Sequence, residues 1–202
     1  MAKKKADRPN SAQQAIQRLT DGNARYVADK LQGELQDSDR RKDLAGKQEP
    51  WAIVLSCADS RVIPELIFDC GIGELFVVRV AGNIANDCSI ASIEYAVANL
   101  NTRLVVVLGH ENCGAVGAAL GGDSHSYNLD ILLGHLKQVA SEYKGKRLTE
   151  SVKNEACARN AEIVADRLKN QSSIIWDQDE LTIVPAIYKT AKGEVEFGPW
   201  WS

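Results

Sequence analysis

Leu104-Val-Val-Val-Leu-Gly-His-Glu-Asn-Cys113 is the stretch of sequence that decides the fold. Its first five residues are all apolar, which is typical of a strand covered on both faces in a parallel sheet. A short apolar run of strand length at residues 51–55 precedes it, and residues 74–80 are a second strand candidate. Helical spacing at 87–100, and a proline at position 64 that suits a first helical turn, place helices between these strands. Strands that alternate with helices predict an α/β fold with a mostly parallel sheet.

Helices are also predicted on either side of this central part. Residues 1–30 form one, for which Ser11 is a suitable N-cap, and the alanine-rich and glycine-rich residues 113–120 form another. Apolar residues recur with helical spacing at 129–144 and at 151–168. The sheet is therefore flanked by helices over most of the chain.

The C-terminal part supplies the remaining strands. A fourth short strand is predicted at 173–176, and residues 181–188 and 194–197 predict a hairpin. Pro185 indicates that this hairpin lies at a sheet edge, because proline cannot donate to a central ladder. We therefore predict a mostly parallel sheet of about four strands with an antiparallel C-terminal edge strand or hairpin.

Composition excludes several classes of function. The chain has 202 residues, 45% hydrophobic and 25% charged, which suits one well-buried domain over residues 1–202. A formal net charge of -3 offers no basic field for nucleic acid or for an anionic membrane. No apolar run approaches the roughly 20 residues that span a bilayer, and the N-terminus lacks the apolar core of a secretory signal. We expect a cytoplasmic location.

The cysteines suggest a metal site. There are five of them, and an odd, dispersed set argues against a disulfide framework. Cys57 stands two residues past the first predicted strand, His110 two residues past the third, and Cys113 three residues later, as on an opening helical turn. If those two strands are neighbours, the three side chains meet beyond the carboxyl ends of the sheet. Two thiolates and one imidazole suit zinc, and three protein ligands leave the open position of a catalytic site.

Other readings of these residues stay open at this point. Buried cysteines that merely pack are common, and Cys70, Cys88 and Cys157 fit that description. A zinc site with two cysteines and one histidine also serves alcohol dehydrogenases and nucleotide deaminases, although the deaminase signature Pro-Cys-x-x-Cys is missing here. A nucleotide-binding protein would need a glycine-rich loop after the first strand, and residues 57–63 contain no glycine.

Asp59 and Arg61 place an acid and a base directly after the first candidate ligand. As a surface ion pair they would contribute under about 1 kcal/mol. Beside a metal, a bidentate guanidinium would keep the carboxylate ionised and fix its orientation. The carboxylate could then orient a zinc-bound hydroxide, since zinc lowers the pKa of its water to about 7.

Two separate motifs, Cys57-Ala-Asp-Ser-Arg-Val62 and His110-Glu-Asn-Cys-Gly-Ala115, resemble those of the β-class carbonic anhydrases, and the likeness runs in consistent order from about Ser11 to Phe197. The resemblance implies one zinc ion per chain, held by Cys57, His110 and Cys113, and a lyase that reversibly hydrates carbon dioxide to bicarbonate and a proton. It assigns the catalytic dyad to Asp59 and Arg61, with Asp59 joining the zinc ligands only in a closed state.

The same resemblance extends to a substrate cleft and to an assembly. It implies that Gln48, Phe76 and Tyr95 bind substrate, and that active sites lie at the interface of a homodimer or tetramer. Residues 1–45 would then form an N-terminal helical arm over the partner. Val54 stands where some relatives carry a tryptophan that marks a second, regulatory bicarbonate site, so that site is not expected here.

Two alternatives on the same scaffold complete the hypotheses. Relatives that hydrolyse carbonyl sulfide or carbon disulfide vary the stretch after the first cysteine, and the intact Ala58-Asp-Ser-Arg-Val62 favours carbon dioxide. A catalytically silent zinc protein with a binding role would have lost Asp59 or Arg61, and both are present. No proton shuttle is identified, because His125 and His135 are both expected at the surface.

Overall fold

The structure is a computed structural model that describes residues 8–122, 126–176 and 180–199, without the side chains of Ser173 and Trp176. Its strands are β1 (Ala52–Ser56), β2 (Leu75–Arg79), β3 (Leu104–His110), β4 (Thr182–Lys189) and β5 (Glu194–Phe197). Its helices are α1 (Ala12–Val27), α2 (Ser38–Asp43), α3 (Pro64–Ile67), α4 (Asp87–Leu100), α5 (Gly114–Gly121), α6 (Tyr127–Gly134), α7 (Lys137–Glu142), α8 (Glu150–Gln171) and α9 (Ser173–Trp176), with a 3₁₀ turn at Ala81–Asn83. No helix among these residues is long and apolar enough to cross a membrane.

The strands form one sheet in the order β2-β1-β3-β4-β5. The first four are mutually parallel and β5 runs antiparallel to β4, which confirms the predicted fold class. Every residue of β1 and β3 is buried, because helices cover both faces of the sheet. Strands β1 and β3 are neighbours in this order, as the predicted metal site requires.

Alternate residues of the central strands face two separate cores. Val54 and Val106 pack on one face with Leu19 of α1 and with Phe68. On the other face, residues such as Ile53 and Val105 pack against α4 and α8. Successive residues of a strand face opposite sides of the sheet, and here both sides are apolar. The strands therefore appear in the sequence as continuous apolar runs.

One predicted strand was wrong. Residues 173–176 form the short helix α9, which packs against α4 and α8. The main chain turns into it at Ser172, whose hydroxyl accepts from the amide of Ile175 at 3.1 Å. A segment of four residues, three of them apolar, is too short for periodicity to separate strand from helix, so the packing of its neighbours decides.

Two finer predictions also need correction. The hairpin lies at a sheet edge as predicted, but Pro185 does not, because β4 pairs with β3 on one side and β5 on the other. Pro185 lies opposite Val107, and its carbonyl accepts from the amide of Gly198 at 2.8 Å. The helix predicted at 129–144 is two helices, α6 and α7, separated at His135 and Leu136.

Helix α1 begins at the predicted cap, with the Ser11 hydroxyl accepting from the amide of Gln14 at 3.2 Å. It packs on its own chain: the buried Asn23 donates to the carbonyls of Ile67 and Gly193 and accepts from the amide of Val195. The role of residues 1–45 as an arm over a partner stays a prediction, as does the single domain over 1–202.

Gly22 marks the closest approach of α1 to the segment after α3. A Cβ atom at this position would overlap the carbonyl oxygen of Phe68, which is backbone and cannot rotate away. We expect Gly22→Ala to lower the free energy of unfolding by about 1–3 kcal/mol, although alanine normally favours a helix. Urea denaturation measures this, with Gly46→Ala as the control because nothing lies within 4 Å of a Cβ there. Equal stability of both variants would show that α1 is not held this closely.

Candidate metal centre

Three buried ligand side chains meet beyond the carboxyl ends of β1 and β3. Cys57 directly follows β1, His110 is the last residue of β3, and Cys113 is the residue before α5. One ligand atom from each lies within 4.8 Å of the other two. The structure therefore brings together the three residues that the sequence predicted as metal ligands.

The connection between His110 and Cys113 differs from the predicted helical turn. Asn112 has φ 54°, a left-handed conformation that reverses the chain before α5 begins. The turn is held from outside: the amide of Glu111 donates to Tyr188 O at 3.1 Å, and that of Asn112 to Asn154 Oδ1 at 2.8 Å. The spacing of His110 and Cys113 correctly predicted that their side chains lie close together. A loop brings them together, however, and not the helical turn that was predicted.

His110 presents one free ring nitrogen to this cluster. Its Nδ1 lies 2.9 Å from the carbonyl oxygen of Glu111, so Nδ1 carries the proton and donates it. Nε2 is buried and has no hydrogen-bond partner among the described residues. Such an atom is costly unless it binds something, and a metal ion would satisfy it. With two thiols beside it, the donor set fits zinc.

The surroundings of the two cysteines favour a thiolate. Cys57 Sγ accepts from the backbone amides of Asp59 at 3.4 Å and Gly82 at 3.3 Å. Its pKa is lowered, chiefly because the Cys113 thiol donates to it and also because of these two backbone amides. The pKa of Cys113 is raised in turn, because it is the donor and because it is buried. A metal cation would take the place of that shared proton and hold both sulfurs as thiolates.

Asp59 and Arg61 form a bidentate pair at the rim of the cluster. Arg61 donates from Nε to Oδ1 at 3.0 Å and from Nη2 to Oδ2 at 2.8 Å, and its backbone amide also reaches Oδ1 at 3.0 Å. These bonds hold the pKa of Asp59 well below its usual range, so the carboxylate stays ionised. Asp59 Oδ2 lies 4.0 Å from His110 Nε2, close to the ligands without joining them.

A sequence model of the carbonic anhydrase family matches residues 52–195. The chain belongs to the β-class carbonic anhydrases. It is 53% identical over 102 residues to carbonic anhydrase 2 of Mycobacterium tuberculosis, a match covering 50% of this chain and 49% of that protein. It therefore spans about half the length of that relative. It is also 34% identical over 169 residues to the carbonic anhydrase of Synechococcus elongatus, covering 76% and 62% of the two chains.

Solved structures of the β class share its fold. The β-carbonic anhydrase CcaA superposes with a TM-score of 0.73 at 27% identity, covering 91% of this chain and 94% of that one. The Coccomyxa enzyme in complex with acetazolamide gives 0.72 at 26% identity, covering 86% and 82%. One of two tetrameric enzymes of Sordaria macrospora gives 0.73 at 25% identity, covering 91% and 96%.

Arg79 supports the centre of this β-class chain and was missed by sequence reasoning. At the end of β2, it donates from Nε to Cys57 O at 3.1 Å and from Nη2 to Asp59 O at 2.7 Å. It therefore holds the main chain that carries both a candidate metal ligand and the Asp59 carboxylate. The position of Arg79 opposite Ser56, at the end of β1, brings it within reach of these carbonyls. This pairing could not be predicted from the sequence, because register is a property of the folded sheet.

The predicted substrate residues are not brought to the metal centre of their own chain. Phe76 lies opposite Ile53, four residues before Cys57, and Tyr95 contacts Phe76 with ring centroids 6.5 Å apart. At a rise of about 3.3 Å per residue, Phe76 is about 13 Å along the sheet from Cys57. Gln48 is exposed and precedes β1, whereas Cys57 follows that strand. Tyr95 is 49% exposed, and thus open to contact from outside the chain.

Proposed function

We propose that this chain is a zinc-dependent carbonic anhydrase that reversibly hydrates carbon dioxide to bicarbonate and a proton. The observation that carries the proposal is the ionised Asp59 carboxylate, held by Arg61 at 4.0 Å from the unpartnered Nε2 of His110 in a buried cluster with Cys57 and Cys113. Zinc bound there would supply a nucleophile from water at neutral pH, because it lowers the pKa of bound water to about 7.

The chain's own residues would orient this chemistry. An ionised Asp59 can only accept hydrogen bonds. It would therefore orient the nucleophile so that its proton points toward the carboxylate and a lone pair points away from it. Arg61 occupies both carboxylate oxygens and would keep Asp59 off a metal bound by the three candidate ligands, which would be the open arrangement. Breaking this pair would free Asp59 to act as a fourth ligand, the closed state that the resemblance implies.

Metal content and rate measured together test the proposal. We expect one zinc ion per chain, and carbon dioxide hydration that climbs between about pH 7 and 9 as water at the metal loses its proton. Stopped-flow assays on purified protein, alongside metal analysis, measure both quantities. Full activity in protein stripped of zinc, or zinc-loaded protein without hydration activity, would contradict the proposed function.

The substrate cleft requires a second copy of the chain in this proposal. Phe76 lies opposite Ile53 and contacts Tyr95, and Gln48 precedes β1, whereas Cys57 follows it. We therefore propose that these three residues line the metal centre of a partner. This supports a homodimer, or a tetramer made from dimers, with the sites at the interface. The tetrameric relatives of Sordaria macrospora are consistent with such an assembly.

Mixing two inactive variants tests this sharing of residues. Cys57→Ser removes a candidate ligand from its own chain, whereas the double variant Phe76→Ala with Tyr95→Ala removes the two aromatic rings proposed for the cleft and leaves the three candidate ligands in place. We expect mixed assemblies to regain activity, because one site then combines an intact centre with an intact cleft. Stopped-flow assays after co-refolding measure the recovery. Activity no higher than the sum of the two separate variants would show that the cleft residues do not act on a partner.

A further inference from the structure

We propose that Asn160 is a positioning residue for the metal centre, acting on Cys57 through the main chain of Gly82. The inference rests on the proposed function, since it assigns a role in holding the zinc ligands. It concerns a residue on α8 that follows the last ligand by 47 positions and belongs to neither motif. The contacts that carry it run from α8 to Gly82 and from Gly82 to the sulfur.

Gly82 is the link between the helix and the ligand. Its amide donates to Cys57 Sγ at 3.3 Å, and its carbonyl accepts from Asn160 Nδ2 at 2.9 Å. Gly82 has φ 72°, a conformation that glycine enters and leaves at little cost. The backbone preference of Gly82 therefore does not keep its amide directed at Cys57 Sγ. We infer that the hydrogen bond from Asn160 to the Gly82 carbonyl does so.

The bond from Asn160 is built to be rigid. The side chain is 1% exposed, and it bonds a carbonyl 78 residues away in the sequence. Around it, the helix approaches the sheet closely: a Cβ at Gly109, beside His110, would lie 3.1 Å from Cys157 O and 3.3 Å from Ala161 Cβ. Helix α8 thus offers Asn160 a fixed position from which to hold Gly82.

A second asparagine of the same helix holds the other ligand-bearing turn. Asn154 Oδ1 accepts from the amide of Asn112, between His110 and Cys113. The two side chains together hold the backbone on both sides of the cluster, so α8 acts as a common support for all three ligands. Outer hydrogen bonds of this kind orient metal ligands, and their loss typically lowers metal affinity about 10–100-fold.

Zinc affinity of the folded protein tests the role of Asn160. We expect Asn160→Leu, which keeps the side-chain size but removes the donor, to bind zinc about 10–100-fold more weakly in competition with a chromophoric chelator. Cobalt substitution gives a second readout, because a displaced Cys57 shifts the thiolate-to-cobalt charge-transfer band. Asn160→Ala serves if the leucine variant does not fold, since a smaller side chain leaves room for water at the Gly82 carbonyl.

Leu168→Ala separates this role from general destabilisation. Leu168 is fully buried on the same helix, about 12 Å beyond Asn160, and packs in the core rather than against Gly82. We expect it to lower the denaturant midpoint but to leave zinc affinity within about twofold of wild type. Equal losses of affinity in both variants, or none in the Asn160 variants, would overturn the inference. Wild-type protein without tight zinc binding would instead overturn the proposed function on which it rests.

Discussion

Cys57→Ser and His110→Ala variants are expected to lose bound zinc and carbon dioxide hydration together. Their candidate ligand atoms and that of Cys113 lie within 4.8 Å of one another, so each would supply one of the three ligands found among the described residues. A serine hydroxyl does not ionise near neutral pH and is a poor substitute for a thiolate. Alanine at position 110 removes the unpartnered imidazole nitrogen altogether. The rate should fall to the uncatalysed background, because in the proposed function the bound metal would supply the nucleophile.

Metal analysis after dialysis and stopped-flow hydration assays measure the two losses in the same samples. Cys88→Ser and His135→Ala are the matched controls, because neither residue belongs to the cluster. Cys88 is exposed, so the packing role that the sequence suggested for it was wrong. Both controls should keep one zinc ion per chain and the wild-type rate. A Cys57 or His110 variant that loses zinc but still hydrates carbon dioxide would remove the metal centre from the reaction.

Asp59→Asn is expected to keep zinc and to lose about two to four orders of magnitude in rate. The carboxylate stands outside the three ligands and is held there by Arg61, so the ligand set survives the change. The amide that replaces it can donate as well as accept, so it no longer selects one orientation of the nucleophile. Arg61→Lys should lower the rate less, because a lysine retains the charge but loses the bidentate grip.

The distinguishing measurement is the rate at full zinc occupancy. Asp39→Asn is the control, since Asp39 is exposed and pairs only locally with Lys42. An Asp59 variant with the wild-type rate would show that the carboxylate does not orient the nucleophile. Loss of zinc from that variant would instead identify Asp59 as a ligand in the resting enzyme.

Much of the fold followed from local patterns in the sequence. The apolar run at 104–108 predicted a doubly covered strand, and every residue of β3 is buried. The helix α1 begins at the cap that Ser11 predicted. The prediction was wrong at 173–176, where four residues hold too little periodicity, and Pro185 lies in a strand with neighbours on both sides. Both errors concern features that are set by which elements pack together in space, not by residues that are close in the sequence.

The sequence by itself determined the chemistry of the site. Its two cysteines, one histidine and acid–base pair can be recognised without a structure, because residue types and short spacings are local properties. Only the tertiary structure decided what holds them in place. Arg79 supports the Cys57 loop across a strand pair, and Asn160 reaches Gly82 over 78 residues. Such contacts leave no period or motif in the chain, because they arise from where helices and strands pack. The three candidate ligands could therefore be identified from the sequence, and the contacts that hold them in place could not.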